Sequence, residues 1–178
     1  NDSGIVQSWS GYYIQAGLFG GSGADLIYGG AGIDLLDGGD GADKLWGDSG
    51  DDYLLGRNGD DQIFGGAGVD TSVGGSGNDL IVDNGSEVAW ADGGDGDDVL
   101  ETGSGFDHLF GGNGDDWLRS GDGTDELVGG AGNDHIISGE SGPYGDFISG
   151  GEGYDVYMYD SIRDFGDHLV DWNGNEDV

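Results

Sequence analysis

Apolar and polar residues recur along this chain with a period of nine. Residues 20–82 divide without a gap into seven units, beginning GGSGADLIY and GGAGIDLLD. Five further units occupy residues 93–137, and a last clear unit, GGEGYDVYM, occupies residues 150–158. A ten-residue irregular piece at 83–92 and a twelve-residue variant at 138–149 interrupt the series. A repeat of fixed period is typical of a solenoid, in which each unit packs on its neighbours.

Three positions of the unit carry the pattern. Position 4 is glycine and position 6 is aspartate in all thirteen nine-residue units, whereas position 8 is aliphatic except at Ser72 and Tyr157. Position 8 is the middle one of three β-prone residues, so its side chain should face inward while its neighbours face outward. The aliphatic residues at position 8 are Ile27, Leu36, Leu45, Leu54, Ile63, Ile81, Leu100, Leu109, Leu118, Leu127 and Ile136.

The unit itself predicts the fold. A loop of six residues and a strand of three cannot bury a core alone, so we expect the units to coil with two per turn. The strands would then form two short parallel sheets around a thin aliphatic core, an all-β solenoid. We expect this repeat domain to span residues 20–158, with the piece at 83–92 forming one degenerate half-turn and the segment at 138–149 a long variant.

The two ends of the chain are expected to cap the stack, because the terminal repeats of solenoids are atypical. Residues 1–19 keep the phase, with Trp9 and Leu18 at the inward position, and we interpret them as degenerate N-terminal cap repeats. Residues 159–178 form the predicted C-terminal capping segment. Its apolar side chains could plug the open end, and they include Ile162, Phe165, Leu169 and Trp172.

Composition and charge then point to cations. The chain has 44 glycines and one proline in 178 residues, and 37 acidic residues against 4 Lys plus Arg give it a formal net charge of −33. Such a chain should repel itself and stay disordered until something neutralises it. Nucleic acid and an anionic membrane surface are excluded as partners on this charge, and no apolar run is long enough for membrane insertion. The absence of cysteine excludes disulfides and thiolate metal sites.

Calcium is the cation that fits the repeat. It takes six to eight oxygen ligands from carboxylates and carbonyls at about 2.3–2.6 Å, whereas magnesium demands a compact octahedron and zinc prefers His or Cys. Two glycine-rich loops on the same side, eighteen residues apart, could share one ion, which gives about ten ions in all. The candidate carboxylate ligands are Asp25, Asp34, Asp43, Asp52, Asp61, Asp70, Asp79, Asp98, Asp107, Asp116, Asp125, Asp134 and Asp155, with Asp146 in the long variant.

The nonapeptide G-G-x-G-x-D-x-U-x, where U is aliphatic, resembles the calcium-binding repeat of the RTX (repeats-in-toxin) family over residues 20–158. This resemblance implies a right-handed parallel β-roll in a bacterial protein exported by type I secretion, either released outside the cell or held at the cell surface. It also implies carbonyl ligands from the position 4 glycines: Gly23, Gly32, Gly41, Gly50, Gly59, Gly68, Gly77, Gly96, Gly105, Gly114, Gly123, Gly132 and Gly153.

The chain departs from the RTX pattern at five places. Asp48 and Arg57 stand at position 2, and Thr102, Ser120 and Ser138 stand at position 1. Carbonyl ligation can survive these substitutions, but a positive φ angle becomes costlier without glycine. We therefore expect local backbone strain at these departures.

Catalytic motifs are absent from the sequence, so we expect no enzyme in this segment. His108 and His135 occupy the outward position 7 and form no zinc-protease motif. At position 9, Tyr28, Trp46 and Phe64 recur every eighteen residues and should stack on one outer face. This aromatic stripe is interpreted as ladder packing between neighbouring strands, or else as a docking surface for a flanking domain or a carbohydrate.

Two alternative functions follow from these outer surfaces. One is an adhesin or glycan-binding segment that uses the aromatic stripe. The other is an ice-binding RTX solenoid, which would need a flat and regular array of Thr and Asn. Positions 3 and 5 instead mix Asp, Ala, Ser and Phe, so the sequence favours the calcium-dependent structural module.

Overall fold

The chain folds as a stack of short parallel strands. The computed structural model describes residues 5–7, 17–85, 87–140, 144–159 and 168–169, and the elements in these ranges are β-strands. The strands alternate along the chain between two nine-stranded sheets, and neighbours within each sheet are parallel. The predicted all-β parallel roll is confirmed.

The first sheet contains the odd-numbered strands in chain order. They are β1 (Ile5–Gln7), β3 (Leu26–Ala31), β5 (Lys44–Ser49), β7 (Gln62–Ala67), β9 (Leu80–Asp83), β11 (Val99–Thr102), β13 (Trp117–Arg119), β15 (His135–Ser138) and β17 (Val156–Tyr159).

The second sheet contains the even-numbered strands, again in chain order. They are β2 (Leu18–Ser22), β4 (Leu35–Asp40), β6 (Tyr53–Asn58), β8 (Asp70–Ser76), β10 (Ala89–Asp95), β12 (His108–Asn113), β14 (Glu126–Ala131), β16 (Phe147–Glu152) and β18 (His168–Leu169).

The strand register follows the sequence period. Ile27 lies opposite Leu45, which is the eighteen-residue shift of two units per turn. Across the irregular piece the shift becomes nineteen, so Ala91 lies opposite Ser72 in the second sheet. Across the long variant it becomes twenty-one, between β14 and β16. The extra residues are therefore absorbed between strands, and β10 occupies the second sheet between β8 and β12.

The core is a single file of position 8 side chains in each sheet. Burial alternates along each strand, so that residues at positions 7 and 9 stay partly or fully exposed. Ala91 supplies the core residue of the irregular half-turn, and Ser72 is also buried. The buried aliphatic residues, between 0% and 2% exposed, are Ile27, Leu36, Leu45, Leu54, Ile63, Ile81, Ala91, Leu100, Leu109, Leu118, Leu127, Ile136 and Ile148.

The N-terminal end of the roll is described only in part. Leu18 lies opposite Leu36 and packs partly against the core, as predicted. Opposite Ile27, however, the partner strand places Val6. The sequence interpretation placed Trp9 at this inward position, and that interpretation stays a prediction. Trp9 itself lies outside the described residues.

The C-terminal end is described only in part. Leu169 lies opposite Ile148, so the last strand continues the second sheet in the phase of position 8. The other predicted cap residues, Ile162, Phe165 and Trp172, lie outside the described residues.

Positive φ angles fall at positions 2 and 4 of the units. Asp48 and Arg57 at position 2 have φ of 72° and 85°, in the left-handed region that disfavours side chains, so strain there is confirmed. The same expectation is wrong for Thr102, Ser120 and Ser138. Position 1 continues the preceding strand, so its residues keep the negative φ of a strand. Among the described residues that are not glycine, only Asp48 and Arg57 have positive φ.

Candidate metal centre

The position 6 aspartates form two rows, one on each side of the roll. The first row lies in the loops that enter the first sheet and contains Asp25, Asp43, Asp61, Asp79, Asp98, Asp116, Asp134 and Asp155. The second row lies in the loops that enter the second sheet and contains Asp34, Asp52, Asp70, Asp107, Asp125 and Asp146. These side chains are between 0% and 3% exposed.

One carboxylate oxygen of most of these aspartates is held by the neighbouring turn. The main-chain N–H of Asp43 donates to Oδ1 of Asp61 at 2.7 Å, and that of Asp61 donates to Oδ1 of Asp79 at 2.8 Å. Seven such bonds run without interruption along the first row. The carboxylates are therefore fixed in orientation before any ion is considered.

The other oxygen, Oδ2, is left for a different partner. Oδ2 is buried and accepts no hydrogen bond from the described part of the chain in eleven of these aspartates: Asp34, Asp43, Asp52, Asp61, Asp70, Asp79, Asp98, Asp107, Asp116, Asp125 and Asp134. Leaving a buried polar group without a hydrogen-bond partner costs on the order of 1–3 kcal/mol, and a charged carboxylate costs more. A bound cation would remove this cost along the whole row.

Main-chain oxygens converge on the same spaces. A Cβ placed on Gly20 would lie 2.6 Å from the carbonyl oxygen of Gly38 and 2.7 Å from Oδ2 of Asp25. Gly29 at the start of the second row has the same surroundings, with the carbonyl oxygen of Gly47 at 2.8 Å. A glycine at position 1 thus leaves a small cradle lined by one carboxylate and one carbonyl oxygen, which are the ligand types that calcium prefers.

These position 1 carbonyls were missed by the sequence analysis. The signal was available, since glycine stands at position 1 in eleven of thirteen units, including Gly38 and Gly47. The position 4 carbonyls that were predicted instead lie against the next loop, so that a Cβ on Gly41 would overlap the carbonyl oxygen of Gly23. Their role as ligands stays a prediction.

The electrostatics of the rows favour a bound cation. Burial raises the pKa of Asp52 and Asp61 to about 7 and that of Asp79 to about 6, and neighbouring aspartates add repulsion. Hydrogen bonds from the main chain offset only part of this rise. No three His, Asp or Glu side chains gather in one place within the described ranges, so an ion here would take many of its ligands from the main chain.

Comparison with protein families agrees with this geometry. Four copies of the model for the RTX calcium-binding nonapeptide repeat match residues 19–54, 46–81, 92–127 and 120–157. The chain belongs to this RTX repeat family. A comparison with curated proteins returns no match. Calcium is accordingly the cation that these repeats bind, and the family matches leave out the irregular piece between them.

The second row of RTX loops has different residues at positions 1 and 6 in the irregular piece. Ala89 stands in the place of the position 6 aspartate and still donates its N–H to Oδ1 of Asp107 at 2.8 Å. The row of hydrogen bonds resumes at Ala89, but one carboxylate is missing, so the row is broken between Asp70 and Ala89. At position 1 of the same loop, Asp83 replaces glycine and is 3% exposed. In the following loops, burial raises the pKa values of Asp107 and Asp125, and the buried hydroxyls of Thr102 and Ser120 beside them offset part of this rise.

The first row of RTX loops ends on a tyrosine. The N–H of Gly150 donates to Oη of Tyr157 at 2.9 Å, and a Cβ on Gly150 would overlap both this oxygen and Oδ2 of Asp155. Tyr157 therefore fills the space where another turn would supply its carbonyl. The exception at position 8 that was visible in the sequence has this structural reason, which the sequence analysis did not find.

The outer aromatic stripe packs on itself. Tyr28 and Trp46 stack with ring centroids 4.6 Å apart, and Trp46 and Phe64 stack at 5.4 Å, both nearly parallel. The ring faces that a carbohydrate would contact are thus largely covered by neighbouring rings, which supports the ladder interpretation. His108 bonds to Glu126 at 2.9 Å and His135 stacks on Trp117, both on the outside of the roll.

In the described part of the chain, no helix is long and apolar enough to cross a membrane.

Proposed function

We propose that this RTX module folds when calcium fills its two rows of sites, and that it serves a secreted bacterial protein as a calcium-dependent structural segment. The observation that carries this proposal is the series of buried Oδ2 atoms that accept no hydrogen bond within the described residues. An ion in each cradle would contact two carboxylates, and because the aspartates are shared, each ion would offset roughly one negative charge along a row. Because these atoms are buried only when the turns are stacked, binding energy becomes folding energy.

Each ion would lie between two successive loops on one side of the roll. Its proposed ligands are the position 6 aspartates of both loops together with main-chain carbonyls at positions 1 and 4. Asp61, for example, would serve one ion with Asp43 and another with Asp79. Counting the neighbouring loops on each side gives about ten ions on this arrangement.

The location of the protein follows from the same physics. With a net charge of −33, the chain without calcium repels itself and should remain unfolded in a cytosol poor in calcium. RTX repeats are typical of proteins exported by type I secretion, and an unfolded chain suits passage through a narrow channel. Millimolar calcium outside the cell would then fold it, either in the medium or at the cell surface. The segment acts without catalysis of its own.

The ends of the roll are proposed to act as caps. Leu18 at one end packs partly on the core, and Leu169 at the other continues the second sheet opposite Ile148. An exposed end of a solenoid leaves strand edges and core residues uncovered, so residues 1–19 and 159–178 would protect them.

A calcium titration tests the proposed function. Far-ultraviolet circular dichroism of the chain in EDTA should show a coil, and millimolar calcium should restore the β signal cooperatively. Magnesium at the same concentration is the control and should leave the coil largely unchanged, because its compact octahedral geometry fits these loops poorly. A chain that is fully folded in EDTA would sink the proposal.

A further inference from the structure

The irregular half-turn carries a carboxylate that the repeat does not require. Asp83 stands at position 1, where the regular loops have glycine, and it is 3% exposed. Its Oδ1 accepts the N–H of Gly85 at 3.2 Å, which orients the carboxylate. Oδ2 points back toward the preceding loop of the second row. The family matches omit this half-turn, so the repeat pattern assigns no role to Asp83.

The neighbour of Asp83 across the gap is Asp70. A Cβ on Gly65 would lie 2.7 Å from Oδ2 of Asp83 and 2.8 Å from Oδ2 of Asp70. In the regular cradles the first of these places belongs to a main-chain carbonyl oxygen. Asp70 is 1% exposed, and its Oδ2 accepts no hydrogen bond within the described residues. Two carboxylate oxygens thus face one small buried space.

We propose that Asp70 and Asp83 together hold a calcium ion at the break in the second row, in a site where a side-chain carboxylate replaces the usual main-chain carbonyl. The site rests on the proposed function, because it uses the same kind of cradle. It also explains the loss of aspartate at Ala89: the half-turn lacks a carboxylate at position 6 but gains one at position 1. Two carboxylates match the charge of one Ca²⁺.

The alanine at position 89, where a regular unit has aspartate, weakens the next calcium site along the second row. The next loop pairs Ala89 with Asp107, so the position 6 places there supply one carboxylate instead of two. The ion held by Asp83 is therefore the last one before the second row is interrupted. Because Asp83 lies in the second row, the uninterrupted first row on the other side of the roll does not depend on it.

The substitution Asp83→Ser tests the site. Serine already stands at position 1 of two later loops in the same row, Ser120 and Ser138, so the stack accommodates it. Asp92→Ser is the matched control, since Asp92 lies in the same irregular piece but on the outward position 9. Native mass spectrometry would count the calcium ions bound at a concentration that just saturates the unmodified chain, with circular dichroism as a check of folding.

The expected result is one ion fewer in Asp83→Ser and no change in Asp92→Ser, with both chains folded. Equal counts in a folded Asp83→Ser chain would overturn the site. So would a failure of Asp83→Ser to fold in saturating calcium while Asp92→Ser folds, because Asp83 would then do more than hold one ion. An unmodified chain that binds no calcium would instead remove the proposed function itself.

Discussion

The aspartate at position 6 does two things with its two oxygens. Oδ1 accepts an N–H from the preceding turn, as Asp61 does from Asp43 at 2.7 Å, and this bond aligns the loops. Oδ2 is buried beside a carbonyl oxygen of the next loop and needs a cation. One residue therefore links the stacking of turns to the binding of ions. Alanine at this place, as at Ala89, keeps the N–H donor but loses both oxygens.

Removing a shared aspartate should cost more than removing a terminal one. Asp61 lies mid-row, whereas Asp155 accepts from Asp134 at the last loop of the first row. We expect Asp61→Ala to raise the calcium midpoint of folding by about tenfold or more, the scale of losing support around a metal ligand. Asp155→Ala should shift it distinctly less. Circular dichroism titrations of both variants give the midpoints, and equal values would contradict shared ligation along the row.

Each strand supplies one core side chain and fixes the register between neighbouring turns. In the regular units the strand runs on through positions 1 to 3, as in β6 at Tyr53–Asn58, so five residue pairs form with each neighbouring turn. Among the apolar side chains of a regular strand, only the one at position 8 is fully buried, which makes the hydrophobic core one side chain thick in each sheet. With so small a core, hydrogen bonds and ions must supply much of the cohesion between turns.

Two adjacent leucines separate the core from the outer face. Leu54 is 0% exposed, whereas Leu55 lies at position 9 and is only half-buried. Leu54→Ala should lower the free energy of unfolding in saturating calcium by about 2–5 kcal/mol, the cost of truncating a buried leucine. Leu55→Ala should cost nearer 0.5 kcal/mol, roughly the value for surface positions. Urea denaturation of both variants measures the difference, and equal losses would mean that the assigned inward face is wrong.

The whole molecule is predictable from its period wherever the period holds. Repetition decides which residues stack, so the two sheets, the core file and the aspartate rows could be expected from the sequence. The period says nothing about loops that break it. Val6, and not the residue eighteen positions before Ile27, lies opposite Ile27, and Tyr157 bonds to Gly150 in a contact that no spacing reveals.

The acidic residues of the molecule divide into those in the two aspartate rows and those outside them. Seven hydrogen-bonded aspartate pairs run along the first row, while the second row loses one carboxylate at Ala89 and gains Asp83. Most of the 37 acidic residues are not in these rows, so they remain a source of repulsion that the ions must also overcome. Calcium binding and global charge are therefore coupled throughout the stack.

The central claim is that calcium lies in the cradles between successive loops. Anomalous diffraction from crystals grown in calcium, or with terbium in its place, locates the ions directly. The account predicts a file of peaks along each side of the roll, each beside the Oδ2 of a position 6 aspartate and a position 1 carbonyl oxygen. Peaks confined to the outer carboxylates, with the space between Asp61 and Gly74 left without density, would contradict it.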